Sequence, residues 1–204
     1  MKLAILDRDG TLNALGAGGL IASPAEWQPV PGALEAVARL NQAGWRVVVA
    51  TNQPGLGGGV FDTQTLVAIH ARMHRELGAL GGRIDAVFYC PHAEGEDCAC
   101  RKPAPGLMLQ IRERCALEGG EIAVIGSCLA HLQAAQDLGA QLHLVCTGRS
   151  AHLQPHAPLP PGWPAATRAH ASLQDVVDLL VGQGGSAPAA PSFPSSASSA
   201  SSCS

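Results

Sequence analysis

Aromatic residues are scarce, at 3% of 204 residues, while 47% are hydrophobic. A core must therefore be built from Leu, Val, Ile and Ala, and the length suits one sizeable α/β domain. Charge is scarce too: 13 Lys and Arg stand against 16 Asp and Glu, a formal net charge of −3. The basic residues are scattered and form no stripe for a nucleic-acid backbone, which points to small molecules as partners. No apolar run is long enough for a signal-peptide core or a membrane span, since Leu3-Ala4-Ile5-Leu6 is cut short by Asp7, Arg8 and Asp9. A cytoplasmic chain with no membrane partner is expected. Seven cysteines are present but not spread as a disulfide framework. Three crowd between residues 90 and 100 beside a histidine, whereas Cys115, Cys128, Cys146 and Cys203 stand apart. Clustering of this kind favours a metal.

What is present is an alternation. Short β-prone runs at Leu3 to Leu6, Arg46 to Ala50, Ile84 to Tyr89, Ile122 to Ile125 and Gln141 to Val145 are separated by stretches with helical spacing. Leu34, Val37 and Leu40 mark one helix, closed by Gly44; Leu66, Ile69, Met73 and Leu77 mark another beginning at Asp62. Further helices are expected after Pro103 to Pro105 and after Gly126, where Leu129, Leu132 and Leu138 line one face. The pattern predicts a parallel sheet with helices on both faces, a three-layer Rossmann-like α/β fold. Beyond Gly148 it dissolves into Pro and His, and it recovers only at Leu173 to Val181. Residues 1–181 are read as one domain and 182–204 as a disordered Ser-, Ala- and Pro-rich tail. There is no internal repeat.

The strongest local signal is Asp7-Arg8-Asp9-Gly10-Thr11, directly after the first strand. Carboxylates two residues apart at a strand end can both face the crevice where α/β proteins bind ligands. One can attack phosphorus while the other moves protons, provided a cation screens the repulsion between carboxylate and phosphate. A solvated Asp-Gly turn is the bland alternative.

Asp7 to Thr11 resembles the nucleophile motif of the haloacid dehalogenase phosphatases, and Thr51-Asn52-Gln53-Pro54-Gly55, after the second strand, is similar to their phosphate-binding motif. The resemblance implies Asp7 as nucleophile, Asp9 as general acid and base, and Thr51 with Asn52 and Gln53 at the phosphoryl oxygens.

Cys90-Pro91-His92 and Cys98-Ala99-Cys100 supply three thiolates and an imidazole within eleven positions, enough for a closed tetrahedral zinc site. The loop between them is rich in Gly, Glu and Asp, so a bound ion could contribute much of its folding free energy. Arg101 and Lys102 follow at once, Lys102 as a point charge for a phosphoryl group and Arg101 as a fork for substrate oxygens. The zinc loop joined to Cys-Arg-Lys-Pro narrows the resemblance to a branch containing heptose 1,7-bisphosphate 7-phosphatases and histidinol-phosphate phosphatases, and it covers about residues 1 to 147. That branch lacks a large cap. A small phosphorylated sugar reaching an open site fits this, with Ala14 to Gly19 as a short flap. A monomer using Mg²⁺ and Zn²⁺ is implied.

The resemblance breaks after the fourth strand. Where the family pattern runs Gly-Asp, three residues, Asp, this chain reads Gly126-Ser127-Cys128-Leu129-Ala130-His131. Magnesium in relatives is held by the nucleophilic carboxylate, a carbonyl at the second aspartate and the first of those acids, which correspond here to Asp7, Asp9 and Ser127. A neutral Ser127 should lower metal affinity and slow turnover by about 10² to 10³. His131 is read as an ordinary polar helix position, although one turn from Ser127 it could face the crevice, and Cys128 as a spare thiol. Three functions stay open: a sugar-bisphosphate phosphatase, a histidinol-phosphate phosphatase, and a phosphate- or sugar-binding protein that no longer turns over.

Overall fold

Every strand at the centre of the molecule sends successive side chains to opposite faces, and both faces are apolar. In β1 (Lys2–Leu6), Ala4 and Leu6 join one core cluster while Leu3 and Ile5 join another. β2 (Trp45–Asn52) divides Val47 and Val49 from Val48 and Ala50 in the same way, and β4 (Glu121–Gly126) divides Ala123 and Ile125 from Ile122 and Val124. Strands buried on both faces read as continuous apolar runs, and that accounts for the lack of polar alternation in the sequence.

The structure, a computed structural model, describes residues 1–115 and 120–183. With β3 (Ala86–Cys90), β5 (Gln141–Val145) and β6 (Arg168–His170), the strands form one parallel sheet in the order β3-β2-β1-β4-β5-β6. α1 (Ala33–Gln42), α3 (Thr63–Ala79) and α6 (Leu173–Gln183) cover one face through Leu34, Val37, Leu40, Ile69, Met73, Leu77 and Val176. α4 (Gly106–Arg114) and α5 (Leu129–Ala134) cover the other through Met108, Ile111 and Leu132. A one-turn helix, α2 (Pro54–Gly57), follows β2. The three-layer Rossmann-like arrangement expected from the sequence is the one observed.

Differences from the sequence expectation are local. β6 lies in the Pro- and His-rich stretch read as patternless, because three residues without a β-branched side chain leave no periodic signal. α5 stops at Ala134, so Leu138 packs from the turn beyond it rather than from the helix. α6 runs through Gln183, two residues past the expected domain end; the rest of the predicted tail lies outside the described residues. No described helix is long and apolar enough to cross a membrane.

The strand order reverses between β1 and β4. Leu6 pairs with Val49 on one side and Ile125 on the other, so the chain segments leaving β1, β2 and β4 emerge at one edge of the sheet. Ligands of open α/β sheets bind at such a switch point.

Candidate active site

Asp7 is the first residue past β1, and its backbone N–H donates to the Ile125 carbonyl at 3.0 Å, which extends the ladder by one bond and fixes the side chain at the crevice floor. Lys102 Nζ lies 2.7 Å from Asp7 Oδ1. The same ammonium donates to the Ala50 carbonyl at 2.8 Å and to His131 Nδ1 at 3.0 Å, so its three protons all have acceptors. Cys128 Sγ donates to Asp7 Oδ2 at 3.2 Å. Burial works against the charged form of Asp7, but Lys102, helped by the Cys128 hydrogen bond, outweighs it and holds the carboxyl below its ordinary range. Asp7 is therefore an ionised, partly desolvated carboxylate. Burial, together with the same Lys102 charge, pushes His131 down to about 3, so the imidazole is a neutral acceptor and its proton sits on Nε2. Burial beside Asp7 pushes the Cys128 thiol up to about 12, and it stays a donor.

Asp9 is held by a different set of groups. Arg8 is fully buried and grips the Asp9 carboxylate with Nε and Nη2, both at 3.0 Å. Asn13 Nδ2 donates to Oδ1 at 3.0 Å and Gln53 Nε2 to Oδ2 at 2.9 Å. Gln53 also donates to Thr51 Oγ1 at 2.8 Å and accepts from Arg8 Nη2 at 3.0 Å. With Thr51 Oγ1 donating to Oδ2 at 3.5 Å, four side chains from two strand-end loops fix one carboxylate.

The structure brings Asp7, Asp9, Thr51, Asn52, Arg101 and Lys102 to the lining of one cavity of ≈ 650 Å³. Gln53 is buried beneath it and orients Asp9 rather than presenting its amide to a ligand. Asn52 is occupied as well: its side chain exchanges two hydrogen bonds, of 3.0 and 3.1 Å, with the Lys102 backbone. This pairing ties the β2 end to the loop that carries the lysine. Arg101 Nη2 donates to the carbonyls of His92 and Ala93 and so braces its own loop, while Nε has no partner among the described residues.

Cys90, His92, Cys98 and Cys100 come together with donor atoms all within 4.8 Å of one another. Cys90 Sγ lies 3.7 Å from Cys98 Sγ and 3.4 Å from His92 Nδ1; Cys100 Sγ lies 3.2 Å from that nitrogen. Three sulfurs and one imidazole around a common centre could hold a tetrahedral ion. Cys90 ends β3, so the cluster is rooted in the sheet.

Ser127, fully buried after β4, has Oγ 3.5 Å from the Asp9 carbonyl. That hydroxyl, that carbonyl and the Asp7 carboxylate are hard oxygen donors of the kind Mg²⁺ takes, and an ion that keeps several waters needs no more from the protein. The set fits magnesium in kind but carries one negative charge. His131 does not join it, since Nδ1 is engaged by Lys102. Reading His131 as an ordinary polar position and Cys128 as a spare thiol missed that both touch the Asp7–Lys102 pair. For His131, the offset of one turn from Ser127 is the available signal. Arg8 and Asn13 left no signal in a single sequence.

A model for "haloacid dehalogenase-like hydrolase" matches residues 13–139. The chain belongs to this family. A relative from Bordetella bronchiseptica, D-glycero-beta-D-manno-heptose-1,7-bisphosphate 7-phosphatase, is 45% identical over 181 residues, covering 89% of this chain and 98% of its own. The Pseudomonas aeruginosa protein of the same name is 42% identical over 161 residues, covering 79% and 89%. The crystal structure of the B. bronchiseptica D,D-heptose 1,7-bisphosphate phosphatase, complexed with magnesium and phosphate, superimposes with a TM-score of 0.81 over 90% of this chain and 99% of that one. The family match begins just after the loop from Asp7 to Thr11.

Proposed function

We propose that this hydrolase removes the 7-phosphate of D-glycero-β-D-manno-heptose 1,7-bisphosphate, as the names of its relatives suggest. The observation that carries the reading is the ionised Asp7 carboxylate held against Lys102 at the floor of an open cavity, with a second, rigidly oriented carboxylate two residues on. An Asp7 oxygen attacks phosphorus, forming an aspartyl-phosphate as the bond to the sugar oxygen breaks. Asp9, entering the cycle protonated, delivers that proton to the leaving oxygen and regains one from the water that attacks phosphorus and frees inorganic phosphate, regenerating Asp7. Thr51 and the Asn52 backbone N–H bind the phosphoryl oxygens, and Lys102 exchanges its Asp7 contact for them.

Magnesium, held by Asp7, the Asp9 carbonyl and Ser127, would neutralise charge between carboxylate and phosphate. Zinc at Cys90, His92, Cys98 and Cys100 would fix the loop that carries Arg101 and Lys102. The neutral Ser127 and His131 favour a second reading, a phosphate-binding protein that has lost turnover. Phosphate release from the heptose bisphosphate across a Mg²⁺ titration separates the two. Turnover by the natural chain that is lost in Asp7→Asn supports the enzyme; turnover only after Ser127→Asp supports the binding protein. Release from histidinol phosphate but not from the heptose substrate would reassign the substrate.

A further inference from the structure

Arg149 belongs to none of the motifs, yet it lines the same cavity as Asp7 and Lys102. It sits on a short 3-10 turn, Gly148–Ser150, that follows β5. This turn is locked to the nucleophile loop in two ways. Thr147 Oγ1 donates to the Gly10 carbonyl at 2.7 Å, and the backbones at Gly10 and Gly148 touch so closely that a Cβ on Gly148 would lie 2.5 Å from Gly10 Cα. Gly148 has φ 50 and Gly10 φ 84, so glycine is required at this contact by conformation as well as by space. Arg149 is thus carried on the same rigid unit as Asp7 and Asp9.

Its guanidinium lies against the flap. The nearest atoms to a Cβ built on Gly19 are Arg149 Nη2, Cζ and Nη1, at 3.1, 3.7 and 3.8 Å. Gly18 and Gly19 line the cavity with it. Among the described residues Arg149 makes no ion pair and no side-chain hydrogen bond. Of the other cations here, Lys102 is paired with Asp7 and Arg8 with Asp9, and Arg101 spends Nη2 on two carbonyls of its loop. Of the cavity's acidic residues, Asp7 and Asp9 are paired and Glu94 is exposed on the zinc loop.

We infer that Arg149 is a specificity residue that binds the second, non-reacting phosphate of a bisphosphorylated substrate. The inference rests on the phosphatase reading for which phosphate reacts, but not for the recognition itself. A planar fork with uncommitted N–H donors suits a phosphate dianion, and its exposure makes the contact dependent on salt. It touches no reacting atom.

The test compares Arg149→Gln and Arg149→Lys with the natural chain on heptose 1,7-bisphosphate and on the corresponding 7-monophosphate. Expected for Arg149→Gln is a KM for the bisphosphate raised by about tenfold, the scale of one charge-assisted contact, with kcat and the monophosphate KM unchanged. Arg149→Lys should keep part of the discrimination, and added salt should erode it in the natural chain. Calorimetric binding of both sugars without added magnesium gives the same comparison if turnover is absent, so loss of the phosphatase reading is told apart from loss of this one. Equal effects of Arg149→Gln on both sugars, or none on either, would overturn the inference.

Discussion

The two candidate metal centres lie at neighbouring strand ends but are equipped very differently. The cluster after β3 has four soft or borderline donors around one point, three of them sulfur, and needs nothing from solvent. The oxygen set between β1 and β4 has one carboxylate, one carbonyl and one hydroxyl. Both sit on loops anchored to the same rigid sheet, so the difference lies in donor charge and not in scaffold. At the oxygen set neutral groups flank the ion pair of Lys102 with Asp7: His131 accepts from Lys102 and Cys128 donates to Asp7.

Four experiments break or sharpen that contrast. Asp7→Asn removes both the nucleophile and the sole anion of the oxygen set; phosphate release should fall by about 10³-fold or more while bound zinc, measured by elemental analysis, stays at one per chain. Retained turnover would place the chemistry elsewhere. Ser127→Asp restores a second anion, and both Mg²⁺ affinity and kcat should rise, the latter by up to about 10²-fold. An unchanged magnesium titration would mean that water already fills the role.

Cys100→Ser attacks the other centre. Zinc content should drop and thermal unfolding should fall by roughly 10 °C, equivalent to about 3 kcal/mol, with phosphate release reduced because Lys102 follows two residues later. A stable variant with full activity would reduce the cluster to spare thiols. The smallest effect is expected away from both centres. His143, fully buried, has Nδ1 3.1 Å from His170 Nε2, and burial followed by the His170 charge pushes it down to about 4. Its folded value lies below the usual 6.5, so the unfolded chain binds the extra proton and stability falls as pH drops from 6.5 toward 4. At pH 5 this costs on the order of 2 kcal/mol relative to neutral pH. His143→Gln keeps a hydrogen-bonding group without the titration, and urea midpoints at pH 5 and 7.5 should move closer together.

The sequence carries the sheet clearly because a doubly covered strand is an apolar run, and β1, β2, β4 and β5 fall where those runs lie. It carries β6 poorly, since three residues cannot show a period. In the site, Asp7, Asp9 and the cysteine cluster are legible from spacing alone. The partners that fix them are not: Arg8 reads as one more charge, and only the fold turns it inward to grip Asp9 and to place Nη1 3.1 Å from His70 Nε2. Asn52 and Gln53 were read as ligand contacts because they follow Thr51, whereas their amides tie loops together and orient Asp9. Arg149 leaves no signal for the opposite reason, since Gly19, its neighbour in space, is more than a hundred positions away.

Lys102 has no unspent proton: carboxylate, carbonyl and imidazole each take one. In the proposed reaction, a phosphate arriving at the cavity floor would compete with Asp7 for a place on the ammonium. Every binding event is then an exchange measured against an internal pair that re-forms once the anion departs. Under the proposed reaction, re-formation of that pair would help to expel the released phosphate.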